Sequence, residues 1–206
     1  MSQSRRRARI VLVAALVLAC VGLGALLRLF LLEGPGLPGT GGSAASSVGG
    51  PFALVDQNGK TRTDAEFRGA LMLVYFGYTY SPDIGPAELE TIATTLERLG
   101  DKAASLQPIF ITIDPERDTA AALKSYVAHF SPRLVGLTGT PEQIAGVARS
   151  YRVYYAKVPL ERSDKAGYLM DYSGLVYLIG RDGRYLTHFT PQTTSEQMAY
   201  TIRKYF

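Results

Sequence analysis

A single cysteine, Cys20, and two histidines, His129 and His188, are all the sulfhydryl and imidazole that the 206-residue sequence contains. One thiol cannot close an intramolecular disulfide, and dithiol exchange needs two. Neither histidine has a second candidate ligand at a metal-binding spacing, which excludes a Cys/His zinc site and leaves exposed or hydrogen-bonded structural roles for both. A Gly-rich phosphate loop and a nucleophile elbow are missing too. Ser81 precedes Pro82 instead of sitting in G-x-S-x-G, and no histidine lies near it in sequence, which argues against a serine hydrolase. Most of the chain also lacks any surplus of positive charge. The net charge is +4, but Arg5, Arg6, Arg7, Arg9 and Arg28 and the acidic Glu33 all precede residue 51, leaving 17 residues of each sign after it. A neutral domain has no electrostatic footprint for nucleic acid.

The N-terminus holds what the rest lacks. From Ile10 to Leu27 the residues are all apolar or small, and after Arg28 the run resumes as LFLL until Glu33 stops it. About 20 such residues span a bilayer, and Arg28 near one end can snorkel to the interface, so residues 10–32 are expected to form a transmembrane anchor. The basic segment 1–9 places the N-terminus in the cytoplasm by the positive-inside tendency. Everything after the anchor is then expected on the periplasmic or outer side of a bacterial inner membrane. Val17-Leu18-Ala19-Cys20 loosely resembles a lipoprotein processing site, but the apolar run continues past Cys20, which favours a permanent anchor with Cys20 as a small apolar residue within it. Residues 33–50, EGPGLPGTGGSAASSVGG, are Gly, Pro and Ser with little to bury. They read as a flexible linker reaching roughly 23 Å as a random coil. The folded domain is expected over residues 51–206.

Within that domain the periodicities alternate. Strands are expected at 52–55, 61–63, 70–77, 106–114, 134–137 and 153–158, with helices over 86–99, 119–130, 141–151 and 193–205. Gly85 and Pro86 supply the start signal of the first helix, with Glu88 and Glu90 favourable near its positive end. Arg181-Asp182-Gly183-Arg184 joins LVYLIG to YLTHF as an antiparallel hairpin. The sum is an α/β fold, a central mixed sheet with helices on both faces.

At GYTYSPDIGP, residues 77 to 86, the sequence resembles the SCO/SenC proteins, membrane-anchored and thioredoxin-like, which are implicated in copper delivery during cytochrome c oxidase assembly. The family's loop runs approximately G-x-T-x-C-P-D-I-C-P. Gly77, Thr79, Pro82, Asp83, Ile84 and Pro86 keep their places, while Ser81 and Gly85 occupy both cysteine positions. The likeness continues through FITIDPERDT (110–119), SPRLVGLTGT (131–140), YRVYYAKV (151–158) and YLMDYSGLVYLIGRDGR (168–184). In the last of these the family's metal-binding histidine falls between an aspartate and a serine. Here Asp171-Tyr172-Ser173 puts Tyr172 in that place.

All three family ligand positions have therefore changed. Copper(I) favours thiolate, thioether and imidazole. A serine hydroxyl stays un-ionised, glycine has no side chain, and a phenol titrates near pH 10. The expectation is a degenerate site with no metal, no cofactor and no enzymatic activity, on a membrane-bound docking factor for a protein partner in oxidase assembly or copper delivery. The alternative is an oxygen-rich pocket of Ser81, Asp83, Asp171 and Tyr172 holding a harder ion or a polar ligand. The tyrosines of SYRVYY (150–155) read either as a recognition surface or as a half-buried strand edge.

Overall fold

The structure is a computed structural model, and it describes residues 48–160 and 167–206. The expected basic segment, the anchor at 10–32 and nearly all of the linker lie outside the described residues. Among the described residues no helix is long and apolar enough to cross a membrane.

The sheet is built around β3 (Leu71–Gly77), LMLVYFG, in which every residue is buried. Alternation of side chains along a strand sends Leu71, Leu73 and Tyr75 into one apolar cluster and Met72, Val74 and Phe76 into another, so both faces are covered. The other strands of the main sheet are β1 (Ala53–Asp56), β2 (Thr61–Thr63), β4 (Leu106–Thr112), β5 (Val135–Thr138), β8 (Val176–Ile179) and β9 (Tyr185–Phe189). Their order is β2-β1-β5-β4-β3-β8-β9. The β3–β4 and β4–β5 pairs are parallel and the other pairs antiparallel. Helices α1 (Ile84–Leu99), α2 (Ala120–Phe130) and α4 (Ser195–Ile202) bury their apolar residues in the Leu73 cluster, while α3 (Pro141–Tyr151) covers the Val74 cluster. This is the thioredoxin-like mixed sheet with flanking helices that the resemblance implies.

Several boundaries differ from the sequence expectation for identifiable reasons. α1 begins at Ile84 with Asp83 at the cap position, not at Pro86, because the Asp83 carbonyl already accepts the Ala87 N–H at 3.2 Å. Pro86 then falls in the first turn, where its missing N–H costs nothing. The strand expected at 153–158 is β6 (Tyr155–Pro159), and it does not join the main sheet. It pairs only with β7 (Tyr168–Tyr172), a strand the periodicity did not reveal, in a separate antiparallel ribbon. The terminal helix is shorter than 193–205: Thr194 and Gln197 form a capping box, and residues after Ile202 tighten into a 3-10 turn. The β8–β9 turn forms as read, with Gly183 at φ +84°, where a side chain would be strained.

Candidate functional site

The loop after β3 is held from beneath by one carboxylate. Asp118 is fully buried and accepts from Thr79 N at 3.0 Å, Thr79 Oγ1 at 2.5 Å and Thr112 Oγ1 at 2.6 Å. Burial pushes its carboxyl up, and the Thr112 and Thr79 donors pull it back down. The motif at 114–118 also staples the ribbon to the loop. Arg117 ion-pairs with Asp114, donates to the Tyr168 carbonyl at 3.0 Å and lies 3.7 Å from the Tyr168 ring centre and 4.7 Å from that of Tyr80.

These supports bring Ser81, Gly85 and Tyr172 together. Ser81, 6% exposed, accepts the Gly85 N–H at 3.0 Å and shares a hydrogen bond with Tyr172 Oη at 3.3 Å. Tyr172 Oη in turn shares one with Tyr75 Oη at 3.0 Å and sets its ring edge-on to Tyr78. Serine oxygen folds over the missing side chain of Gly85: an ideal Cβ there would meet Ser81 Cβ at 2.8 Å and Tyr126 Oη at 3.4 Å. Desolvation raises the titration of the Tyr172, Tyr75 and Tyr126 phenols, so all three remain protonated at neutral pH. The cluster offers hydroxyls and one backbone amide, with no thiol or imidazole, and the sulfur on the adjoining cavity wall is the Met170 thioether.

Replacing Tyr172 by Phe removes both of its hydroxyl's hydrogen bonds and leaves Ser81 and Tyr75 with one partner fewer each. A loss of about 1–2 kcal/mol in urea unfolding is expected.

Three of the four residues of the expected oxygen pocket line one cavity, and the fourth does not. A cavity of about 180 Å³ is lined by Ser81, Asp83 and Tyr172 together with Tyr78, Pro82, Ile84, Leu169 and Met170, whereas Asp171 is absent from its wall. Asp171 precedes Tyr172 on β7, where successive side chains alternate sides, and it is exposed. Among the described residues no group of three or more His, Cys, Asp or Glu side chains could hold a metal ion. His129 is exposed beside Phe130, and His188 Nδ1 bonds the Tyr185 hydroxyl at 2.6 Å, so both play the structural parts expected of them. The SYRVYY tyrosines divide: Tyr151 is core, Tyr155 is half-buried, and Tyr154 is 58% exposed.

Sequence reasoning missed three members of the site. Tyr75 was hidden in an apolar strand, and Tyr126 in the α2 pattern. Glu88, read as a helix-end charge, is 3% exposed and faces inward beside Leu89. The signal available was its place three residues after Gly85, on the same face of the helix.

Exposed side chains occur on the cavity wall and on the segments next to it: Ile84 is part of the wall, and Tyr80 directly precedes Ser81 in the chain. Tyr80 is 54% and Ile84 49% exposed, and Tyr154 is tied to Ser173, next to Tyr172, through its own N–H at 3.0 Å.

Comparison with known proteins gives this geometry a context. The chain is 44% identical over 158 residues to the bovine mitochondrial protein SCO2 homolog, covering 76% of this chain and 59% of that protein, so it spans only about three fifths of that relative's length. It is 40% identical over 185 residues to a SCO2-like protein of Rickettsia felis, covering 88% of each. The structure of Bradyrhizobium japonicum ScoI with copper bound superposes with a TM-score of 0.71 at 45% identity, over 78% of this chain and all of that one. With the SCO1/SenC family profile matching residues 40–206, the chain belongs to the SCO1/SenC family.

Proposed function

We propose that this protein is a membrane-anchored SCO-type accessory factor that docks a partner in cytochrome c oxidase assembly or copper delivery without itself carrying copper or electrons. The observation that carries the reading is the meeting of Ser81, Gly85 and Tyr172 in one hydrogen-bonded cluster. Hydroxyls that stay protonated and a bare glycine do not suit a soft monovalent ion, and without thiols no disulfide can be exchanged. The relative solved with copper shares the fold at 45% identity, and what argues against a shared cargo is the lack of a soft donor at Ser81, Gly85 and Tyr172. The anchor expected at 10–32 would hold the domain at the outer face of the inner membrane.

Tyr80, Ile84 and Tyr154 are the proposed docking anchors, being exposed aromatic and aliphatic groups, with Ile84 on the wall of the cavity beside Ser81. Truncation of a residue of this kind at an interface centre costs about 2 kcal/mol or more. Deletion of the gene is therefore expected to lower haem-copper oxidase activity. Re-expression of a Tyr80→Asp/Ile84→Asp variant should leave the defect in place, whereas Ser81→Ala/Tyr172→Phe should restore activity. Normal oxidase activity after deletion, with and without added copper, would remove the proposed pathway.

A further inference from the structure

Behind the loop lies a buried acid that the docking role does not use. Glu88 is in the N-terminal part of α1, and its Oε1 has no hydrogen-bond partner among the described residues. It shares the buried helix face with Gly85, over which Ser81 closes. The groups facing it are uncharged: Tyr75 from β3 and Tyr172 from β7, each affected by a charge on Glu88, with Tyr126 from α2 beside Tyr75. α4 turns Met198, Ala199 and Ile202 to the same interior. The charged residues of these elements, Glu90, Glu97 and Arg98 on α1, Lys124 and His129 on α2, Asp171 on β7 and Glu196 on α4, are exposed, as is Tyr200 on α4, while Tyr168 on β7 is half-buried and bonds Asp114. Among the described residues of these elements no cation compensates Glu88 when it ionises. Ser81 and Tyr172 line the neighbouring cavity, while Glu88 does not.

We propose that Glu88 is a proton-operated latch for the Ser81–Gly85 loop. Protonated, it lets the first turn of α1 close against Tyr75 and Tyr172; ionised, it draws water inward and opens that turn, exposing the Tyr172 hydroxyl. A buried carboxylate without a partner either takes up a proton or gains solvent, and the Ser81–Gly85 closure, loop on one side, lies on Glu88's own buried helix face. Burial pushes the carboxyl up to about 7 from its ordinary value of 4.5. Because the closed state holds the proton more tightly, its advantage is complete below pH 4.5 and is lost as pH rises to about 7, with no further change above. Ten-fold per pH unit across that window is at most about 300-fold in the closed-to-open ratio.

The test is carboxyl 13C NMR together with amide hydrogen exchange on the detergent-solubilised full chain between pH 4.5 and 8.5. The latch gives a Glu88 midpoint near 7, and protection at residues 85, 87 and 88 that falls about tenfold per pH unit from the start of the titration and levels off at about 7, about 100-fold in all after correction for intrinsic exchange. In Glu88→Gln that fall is absent. Through-bond assignment of the carboxyl in the native chain keeps the test independent of whether the variant folds. A Glu88 midpoint within a unit of its ordinary value, or protection unchanged through the titration, overturns the proposal. Both readouts concern this chain alone, so they stand or fall separately from the docking role.

Discussion

A chain carrying Ser81→Cys, Gly85→Cys and Tyr172→His together is expected to capture one equivalent of Cu(I) under conditions where the native chain captures none. The three positions already meet: Ser81 Oγ lies 3.0 Å from the Gly85 amide and 3.3 Å from Tyr172 Oη. Two thiolates and an imidazole there would form an S₂N set, which suits the monovalent ion. One adjustment is needed. An ideal Cβ on Gly85 falls 2.8 Å from Ser81 Cβ, whereas two bridged cysteines keep their Cβ atoms about 3.8 Å apart, so the loop must open by about 1 Å. Because Tyr80, Pro82, Asp83 and Ile84 are exposed, that opening disturbs little packing. The gain should exceed about a thousandfold in affinity, or about 4 kcal/mol. Gly85→Cys alone should not bind and should destabilise, since its side chain would collide with Ser81 while neither Ser81 nor Tyr172 supplies a second soft donor. Chelator-competition titration of the triple and single variants reads both outcomes. A triple variant that folds but takes up no copper would show that the three positions do not converge as described.

The second large effect is expected at Asp118. Alanine there strands the Thr79 amide and the Thr79 and Thr112 hydroxyls, all of which donate to the buried carboxylate. The Thr138 hydroxyl still bonds the Asp118 carbonyl at 2.9 Å, so the backbone stays tied while the loop loses its support. Each orphaned buried donor costs about 1–3 kcal/mol, and a total of about 3–5 kcal/mol is expected in urea unfolding of the domain. Such a loss is a large share of the 5–15 kcal/mol typical of a native protein. Asn at this position keeps one acceptor oxygen and should recover part of the loss. If Asp118→Ala unfolds within about 1 kcal/mol of the native chain, the carboxylate does not support the loop.

How much of this could be read from residues depends on whether the signal is local. β3, wholly apolar and seven residues long, could only be a covered strand, and the Asp182-Gly183 turn fixed the β8–β9 hairpin. β7 was hidden because YLMDY alternates weakly and pairs with β6 outside the main sheet, so neither strand shows a core-facing period. The site itself was legible where a motif carried it: Ser81, Gly85 and Tyr172 were placed together by resemblance, and the coordinates bring them together. Asp83 and Asp171 were grouped with them by nearness in sequence; Asp83 does share their cavity, while Asp171 does not, because sequence nearness says nothing about the side of a ribbon a side chain takes. Asp118, and Glu88 apart from its spacing from Gly85, were hard to read for a different reason. A charged residue in a sequence reads as solvent-facing, and only tertiary packing reveals the exceptions.

The central claim is that oxygen and hydrogen stand where a soft ion would need sulfur and imidazole. Titration of the native full chain with Cu(I) against a calibrated chelator tests it directly. The account predicts that the chelator keeps the metal at every protein concentration reached. Withdrawal of one equivalent by the native chain, lost on Ser81→Ala or Tyr172→Phe, would contradict it.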